Sequence, residues 1–343
     1  MMKKNKISGY TTSKNIIDMD YPFKQSISSL VAVCDEVIVF DTSDPKIDNT
    51  LEVLKKEFKG SKVKIIHEDW DWNVPNAGVL DGLAKAEARR HCSNPILCQF
   101  DLDEVLHEKY SKEYFNDFCN QFMPSFSVSL GLPVIEYWGS NKIRLDINLI
   151  KPRITSNTSG ITHGIPSYLE NIKEGLLYAK HGTDGCDYIE TSHHMPIPCQ
   201  IHPKCLDNTF EQYKKQMSKY NNSIGMDVVK TNLENVWEEI PTFHHYSWFN
   251  IERKIKQYKK FWTTFWPSLY GEPLTDNVMF PGRKWEDISD QEIKNLAIEL
   301  ETKTAGHIFH QPWDGKTTFG LSTTHSKITH PSCIMDTLSK ASV

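Results

Sequence analysis

The sequence predicts an α/β protein with a Rossmann-like, mostly parallel sheet, helices on both faces of that sheet, and a helical C-terminal extension. Two observations support this fold class. Through the first hundred residues, short apolar runs alternate with segments whose apolar residues recur at helical spacing. Acidic residues directly follow two of the apolar runs. A chain of 343 residues is long enough to bury the core that such a fold needs.

Four strands and three helices are predicted in the first hundred residues. The strands are Lys6–Tyr10, Glu36–Phe40, Val63–His67 and Pro95–Phe100, and the helices are Phe23–Cys34, Asn49–Phe58 and Asn76–His91. In the first helix, Phe23, Ile27, Leu30 and Val31 recur at helical spacing, which gives it one apolar face. Strands that alternate with helices in this way favour a parallel sheet.

The pattern changes after Tyr110. We predict a strand over Phe126–Tyr137, a further strand or hairpin arm over Ile143–Ile154, a polar loop region from about 155 to 203, an amphipathic helix from Asn250 and a helix over Asp290–Glu301. The last twenty or so residues are rich in Ser, Thr and Lys, and we expect them to be loosely ordered.

Three carboxylates fall at predicted strand ends. Asp41 follows the second strand, and Asp101 and Asp103 follow the fourth. Ligands of open α/β sheets bind at the carboxyl ends of strands, so these side chains are expected to share one site. An acidic loop without function is the competing interpretation of an Asp-x-Asp pair, but the position of the pair after the fourth strand, with Asp41 after the second, favours a site. The sequence has no GxGxxG and no GxxxxGK[ST] pattern, so a dinucleotide fold or a P-loop enzyme is unsupported.

The first 110 residues resemble glycosyltransferase family 2, whose members have the GT-A fold. The matching segments are Gly9-Tyr10-Thr11-Thr12, Val37-Ile38-Val39-Phe40-Asp41-Thr42-Ser43-Asp44, Asp48-Asn49-Thr50, Asn76-Ala77-Gly78 and Asp101-Leu102-Asp103-Glu104. The form of the last segment that ends in Glu is common in a bacterial and phage branch of that family. Where the family often has an Arg-Asn pair, this chain has Pro75-Asn76.

The resemblance implies a role for each residue of this half. Asp41 would contact the nucleobase, Thr11 would line the nucleotide pocket, and Asn76 would belong to the donor site. Asp101 would lie near the ribose or the metal, and Asp103 would bind the metal directly. The implied metal is Mn²⁺ or Mg²⁺, held by carboxylates and bridging the two phosphates of a nucleotide-sugar donor.

The second half resembles the same branch through shorter segments. They are Tyr137-Trp138-Gly139-Ser140, Lys151-Pro152-Arg153-Ile154, His163-Gly164-Ile165-Pro166, Asp184-Gly185-Cys186-Asp187-Tyr188 and Phe243-His244-His245-Tyr246-Ser247-Trp248. All but the last look like acceptor-side motifs. A late histidine completes the metal site in many GT-A enzymes, and His245 is the candidate, with a packed histidine among aromatics as the alternative.

An inverting transfer also needs a general base for the acceptor hydroxyl. Asp187 is the preferred candidate and Asp184 the next, with Glu190 also in range; each is alternatively an ordinary loop carboxylate. Trp138 could stack on a sugar ring, although a buried core tryptophan is the other interpretation.

The resemblance therefore implies an inverting, metal-dependent glycosyltransferase of the hexosyltransferase type. It would move a sugar from a nucleotide-diphosphate-sugar to an acceptor hydroxyl on a glycan, a lipid-linked molecule or a protein. Residues 1–248 would form the GT-A domain, with a nucleotide-sugar-binding half over 1–110 and an acceptor-side half over 111–248, and residues 249–343 the helical extension. The alternatives are a nucleotidyltransferase and an inactive carbohydrate- or nucleotide-binding module.

Composition limits the partners and the location. Lys and Arg number 39 against 44 Asp and Glu, so the net charge of -5 gives no general attraction to nucleic acid or anionic lipid. No apolar run follows the basic N-terminus, and no stretch is long enough to span a bilayer, so we expect a cytoplasmic protein. Lys254, Lys256, Lys259 and Lys260 are expected on the solvated face of the late helix, with peripheral membrane contact as the alternative.

Two further clusters have both a metal-binding and a structural interpretation. His193, His194, Cys199, His202 and Cys205 supply enough donors for zinc, but their spacing is not that of a standard zinc site, so a polar loop is the alternative. The run over 68–72 (Glu-Asp-Trp-Asp-Trp) could bind a second metal, and a polar loop after the third strand is the favoured interpretation.

Overall fold

A computed structural model gives the fold. It describes residues 4–19, 21–72, 77–122, 129–139, 142–144, 150–157, 161–163, 189–191, 200–201, 234, 236–264, 279–302, 322–323 and 327–335. The strands are β1 (Ile7–Ser13), β2 (Glu36–Asp41), β3 (Val63–His67), β4 (Ile96–Gln99), β5 (Glu104–Leu106), β6 (Ser129–Trp138), β7 (Lys142–Arg144), β8 (Ile150–Ser156), β9 (Ile161–His163), β10 (Ile189–Thr191), β11 (Gln200–Ile201), β12 (Phe243–Trp248) and β13 (Ser322–Thr323). The helices are α1 (Ile16–Met19), α2 (Phe23–Val33), α3 (Thr50–Glu57), α4 (Ala77–Arg90), α5 (Lys112–Phe122), α6 (Ile251–Thr264) and α7 (Asp290–Thr302).

The first half forms a parallel sheet with the order β3-β2-β1-β4. Its strands alternate apolar residues between two faces, and each face packs against different helices. On one face Val37 and Val39 belong to the same core cluster as Ile27 and Leu30 of α2, while on the other Tyr10 lies in a cluster with alanines of α4. The predicted α/β class, with helices on both faces of a mostly parallel sheet, is confirmed.

The second half extends this sheet with strands of mixed direction. β8 is antiparallel to both β4 and β6, so β6 runs in the same direction as β4. β12 then pairs in parallel with β6 and antiparallel with β5. The carboxyl ends of β4, β6 and β12 therefore point to the same side of the molecule.

Most predicted elements are present, with some differences in extent. β1 continues three residues beyond the predicted end, because its pairing with β2 extends to Ser13 and buries Thr11 and Ser13 as well. The region Ile143–Ile154 holds two strands, β7 and β8, as the hairpin-arm alternative predicted. The predicted loop over 155–203 is wrong where β9, β10 and β11 form, and α5 and β12 were not predicted as regular elements.

The end of the chain differs most from expectation. Residues 327–335 were predicted to be loosely ordered, yet Ile328 and Ile334 are buried in the main core and His330 stacks on Tyr137 with a centroid distance of 4.4 Å. The prediction was wrong for this segment because its few apolar side chains pack into the main core. The composition of the segment alone does not indicate this packing. The two late helices, α6 and α7, pack on Trp138.

No helix in the described part of the chain is long and apolar enough to cross a membrane.

Candidate active site

The strand order places a crevice at the carboxyl end of the parallel sheet. From β1 the chain adds β2 and β3 on one side and β4 on the other, so the order changes direction between β1 and β4, and ligands of open α/β sheets bind outside such a point. Ser13 ends β1, Asp41 ends β2, and Asp101 follows β4 after a single residue. The sequence-predicted carboxylates therefore lie along one edge.

Asp101 is surrounded by donors from three elements. Its Oδ1 atom lies 2.8 Å from the Nζ of Lys85 on α4 and accepts a hydrogen bond of 2.9 Å from Gln99, while its Oδ2 lies 3.3 Å from a guanidinium nitrogen of Arg153 on β8. Burial alone would raise the pKa of the Asp101 carboxyl, but Lys85 and Arg153 outweigh it and hold that pKa well below its usual range. About a quarter of the side chain (26%) is exposed, so a ligand can still reach it.

Arg153, which contacts Asp101, also forms a buried ion pair with Glu104. Arg153 contacts Glu104 through two nitrogens, Nε at 2.8 Å from Oε2 and Nη2 at 2.6 Å from Oε1, and both side chains are almost completely buried. Two parallel contacts of this kind fix orientation as well as distance. Lys151, two residues earlier on β8, lies 3.6 Å from Glu104 and 3.7 Å from Glu136.

His245 joins two carboxylates of the site. β12 pairs with β6 so that His245 is opposite Glu136, and the Nδ1 atom lies 2.8 Å from Oε2 of Glu136. The Nε2 atom lies 3.3 Å from Oδ2 of Asp103. Burial alone would lower the pKa of His245, but Glu136 and Asp103 raise it to about 10. For Asp103 burial acts in the opposite sense, and His245 lowers the pKa of that carboxyl to about 2.

These side chains can be tested as ligands for the divalent metal that the resemblance implies. Asp103 and His245 are in contact and would supply the oxygen and nitrogen donors that Mn²⁺ accepts, with the metal displacing the proton that His245 shares with Asp103. Asp101 points its carboxylate at Lys85 and Arg153 instead, and no group of three or more potential metal-binding side chains is present among the described residues. Metal ions that act on phosphates are commonly held by one or two protein groups, with the substrate and water completing the shell, so the pair fits that type of site.

Asp41 and Thr11 are both enclosed by protein. The Asp41 carboxylate is fully buried and accepts hydrogen bonds of 2.6 Å from Ser13 and from Ser43, and its other oxygen lies 2.8 Å from Nδ1 of His67. Thr11 is also fully buried, two residues before the end of β1, and its hydroxyl has no hydrogen-bond partner within the described residues. Contact of either residue with a nucleotide stays a prediction.

Of the lysines predicted on the solvated face of α6, Lys254, Lys256 and Lys259 do not share one such face, and the side chain of Lys260 lies outside the described residues. Lys256 is exposed and pairs with Glu252, as predicted. Lys259 donates to the carbonyl of Ile288 at 2.6 Å, and Lys254 is half-buried beside Asp103. For these two lysines the prediction of a solvated face was wrong, because the helix packs its first turn against the end of β12 and its middle against the segment before α7.

Several predicted residues fall outside the described residues. They are Asn76, Asp184, Asp187, His193, His194, Cys199, His202 and Cys205. Glu190 is placed only as the central residue of β10. Their assigned roles stay predictions.

Trp138 is fully buried and donates to the carbonyl of Leu300 at 2.9 Å, so the core interpretation of this residue is confirmed. Residues 68–72 form a loop after β3, without a metal-binding cluster in the described chain.

The cations of the site were missed as such by sequence reasoning. Lys151 and Arg153 were placed in an acceptor-side motif, and Lys85 was not singled out. The sequence held one signal for Lys151 and Arg153. Positions two apart on a strand share a face, so both side chains lie on the same face of β8. A strand with neighbours on both sides buries that face, and buried charges require oppositely charged partners. Lys85 gave no such signal, because a lysine on a helix is usually solvated.

Comparisons with known proteins give a likeness in structure alone. Neither a family model nor a curated protein sequence matches the chain. Among solved structures, one of S. aureus TarS is similar over 68% of this chain and 43% of that chain, with 12% identity and a TM-score of 0.32. TarS residues 1–349 are similar over 92% of this chain and 98% of that chain, with 12% identity and a TM-score of 0.31. The same segment in complex with UDP-GlcNAc is similar over 76% and 81%, with 11% identity and a TM-score of 0.31. This chain thus spans less than half of the longer TarS chain. The fold class is assigned from the strand order described above.

Proposed function

We propose that this protein is a glycosyltransferase of the hexosyltransferase type, which moves a sugar from a nucleoside-diphosphate sugar to an acceptor hydroxyl with inversion and with the help of Mn²⁺ or Mg²⁺. One observation carries the proposal: Asp103 and His245, from distant parts of the sequence, meet at the carboxyl edge of a parallel sheet, beside the point where the strand order reverses. The likeness to family 2 motifs agrees with it.

The chemistry asks for stabilisation of a leaving group. The bond between the anomeric carbon and a diphosphate oxygen breaks, and its electron pair passes to that oxygen. A divalent ion held by Asp103 and His245 would offset the charge that develops there. Asp101, still 26% exposed, would accept a hydrogen bond from a ribose hydroxyl of the donor. Arg153 and Lys85 act on this carboxylate by holding it ionised and in place.

Attack by the acceptor requires removal of its hydroxyl proton. A carboxylate on the acceptor side would take that proton as the new bond to the anomeric carbon forms, and Asp187 is our first candidate, followed by Asp184. Replacing the base by Asn is expected to leave donor binding unchanged and to abolish transfer, since the base acts on the acceptor alone.

Donor hydrolysis tests the proposal without knowledge of the acceptor, because water can replace it. Nucleoside diphosphate released from a panel of UDP-, GDP-, ADP- and CDP-sugars is measured with Mn²⁺, with Mg²⁺ and with EDTA. The wild type is expected to hydrolyse at least one donor in a metal-dependent manner. Asp103→Asn is expected to lower that rate roughly 100-fold by removing a metal ligand. Asp117→Asn, an exposed carboxylate on α5, is the matched control and should retain the wild-type rate.

Other outcomes would favour other functions. Nucleotide binding without turnover of any donor would indicate a binding module, and pyrophosphate release from a nucleoside triphosphate and a sugar phosphate would indicate a nucleotidyltransferase. Wild-type turnover by a folded Asp103→Asn variant would refute the proposed role of Asp103 as a metal ligand. The configuration of the released sugar, followed by NMR before it mutarotates, tests inversion.

A further inference from the structure

The basic side chains around Asp101 and Asp103 are almost all in ion pairs. Each pairs with a carboxylate of the same network: Lys85 with Asp101, Arg153 with Glu104, Lys151 with Glu104 and Glu136, and His245 with Asp103 and Glu136. Such pairing is expected, because a buried charge is costly unless it has a partner.

Lys254 departs from this pattern. It lies in the first turn of α6, which begins three residues after β12 ends, and its backbone N–H donates to the carbonyl of Asn250 at 3.0 Å. The side chain is half-buried, and its Nζ atom lies 5.4 Å from the ring centroid of Tyr258. Within the described part of the chain, no carboxylate is close enough to Lys254 to form an ion pair.

The first turn of α6 nonetheless lies beside the site, because Arg253 donates to the carbonyl of Tyr246 at 3.2 Å and the backbone N–H of Tyr246 donates to the carbonyl of Asp103 at 2.8 Å. Burial lowers the pKa of Lys254, while Asp103 and Glu136 act on it in the opposite direction. Lys254 thus lies near Asp103 without an ion-pair contact to it, beside the proposed metal-binding pair.

On the basis of the proposed function, we propose that Lys254 binds the diphosphate of the nucleotide-sugar donor and stabilises it as the leaving group. An ammonium is a compact point charge that suits phosphate oxygens, and its attraction to them is stronger in a half-buried site than in water. A diphosphate between Lys254 and Asp103 would complete the pairing that the other cations already have.

The proposal separates two contributions to catalysis. The diphosphate carries more negative charge after the glycosidic bond has broken than before, so Lys254 interacts more strongly with the departing group than with the bound donor. Its loss is therefore expected to lower kcat in addition to weakening donor binding. A residue that merely supports the fold of α6 would change neither in a phosphate-dependent way.

Calorimetric titration with inorganic pyrophosphate and with UDP, GDP, ADP and CDP, in the presence of Mn²⁺, tests the contact directly. Lys254→Gln is expected to weaken binding of pyrophosphate and of the preferred nucleoside diphosphate about 10-fold or more, as for the loss of one charge-assisted hydrogen bond. Lys254→Arg should restore part of the affinity. Lys256→Gln, two residues away and exposed, is the matched control and should bind as the wild type does.

The possible outcomes distinguish this proposal from the proposed function. If folded Lys254→Gln binds pyrophosphate with wild-type affinity while the wild type hydrolyses a donor, the role of Lys254 is refuted and the enzyme assignment stands. If the variant weakens binding of the phosphate-free nucleoside equally, Lys254 has only a structural role. A wild type that binds neither pyrophosphate nor any nucleoside diphosphate would refute both.

Discussion

The Nδ1 atom of His67, at the end of β3, lies 2.8 Å from Oδ2 of Asp41, at the end of β2. The Asp41 side chain is fully buried, whereas His67 is partly exposed and its Nε2 atom lies 3.2 Å from Asp69. A carboxylate that orients an imidazole in this way fixes the ring and decides which nitrogen faces outward. Asp41 therefore holds Ser13, Ser43 and His67 in place at the carboxyl edge of the sheet.

We expect Asp41→Asn to destabilise the protein by about 1–3 kcal/mol, because an amide nitrogen cannot accept the hydrogen bonds that Ser13, Ser43 or His67 direct at the carboxylate. Urea unfolding measures the change. Asp69→Asn contacts the same imidazole but is 88% exposed, and it should change stability by less than about 0.5 kcal/mol. A stable Asp41→Asn variant that no longer binds nucleotide would instead support direct contact between Asp41 and the base.

The buried pair of Glu104 and Arg153 should be strongly coupled. Removing one partner leaves the other charge without compensation in a buried position, so we expect Glu104→Gln and Arg153→Met each to cost about 3–5 kcal/mol. The double variant should cost clearly less than the sum of the two changes. Denaturant unfolding of all four proteins gives the coupling energy, and strict additivity would show that the pair contributes nothing as a pair.

Trp138 provides a test of the junction with the C-terminal helices. We expect Trp138→Phe to lower stability by about 1–3 kcal/mol, since the Leu300 carbonyl loses its donor and the stacked contact with Trp248 is reduced. Trp285→Phe, at a partly exposed position, should have a smaller effect. Thermal and urea unfolding measure both. Reduced sugar binding in a Trp138→Phe variant of full stability would contradict the structural role.

His330 should make stability depend on pH. Burial, with His107 nearby, lowers the pKa of His330 to about 4 from an ordinary value of 6.5, and Nδ1 lies 3.1 Å from the Tyr246 hydroxyl. Between these two values the unfolded chain binds a proton that the folded protein does not, so His330 lowers stability as pH falls from about 6.5 to about 4. We expect the urea midpoint of His330→Phe to fall less steeply over this range than that of the wild type. Parallel curves would contradict the assignment.

The parallel half of the fold could be predicted because its signals are local. The Glu36–Phe40 run and the helical spacing of Ile27 and Leu30 each depend on residues close together in sequence. β12 was not predicted as a strand because its sequence, Phe-His-His-Tyr-Ser-Trp, does not alternate between apolar and polar residues. Pairing with strands on both sides buries polar and apolar side chains alike, and that is decided by the tertiary structure.

In the candidate site, too, some residues could be predicted from local sequence signals and others depend on the tertiary structure. The placement of Asp101 and Asp103 could be predicted from their position after an apolar run, and His245 was found only through a family resemblance. Lys85 and Arg153 reach Asp101 from a helix and a strand that are far apart in sequence. Their role depends on how these elements pack, which no short-range pattern reports.

The double pairing of β12 has a consequence for how the protein folds. His245 is separated from Glu136 by 109 positions, yet it is the group that connects Glu136 with Asp103. During synthesis the parallel half would leave the ribosome long before β12 is made, and until then neither carboxylate would have its contact with His245. Contacts of such long range form late and slowly. The strand that completes the site is thus also expected to set the time at which the nascent chain first becomes competent to bind its ligand.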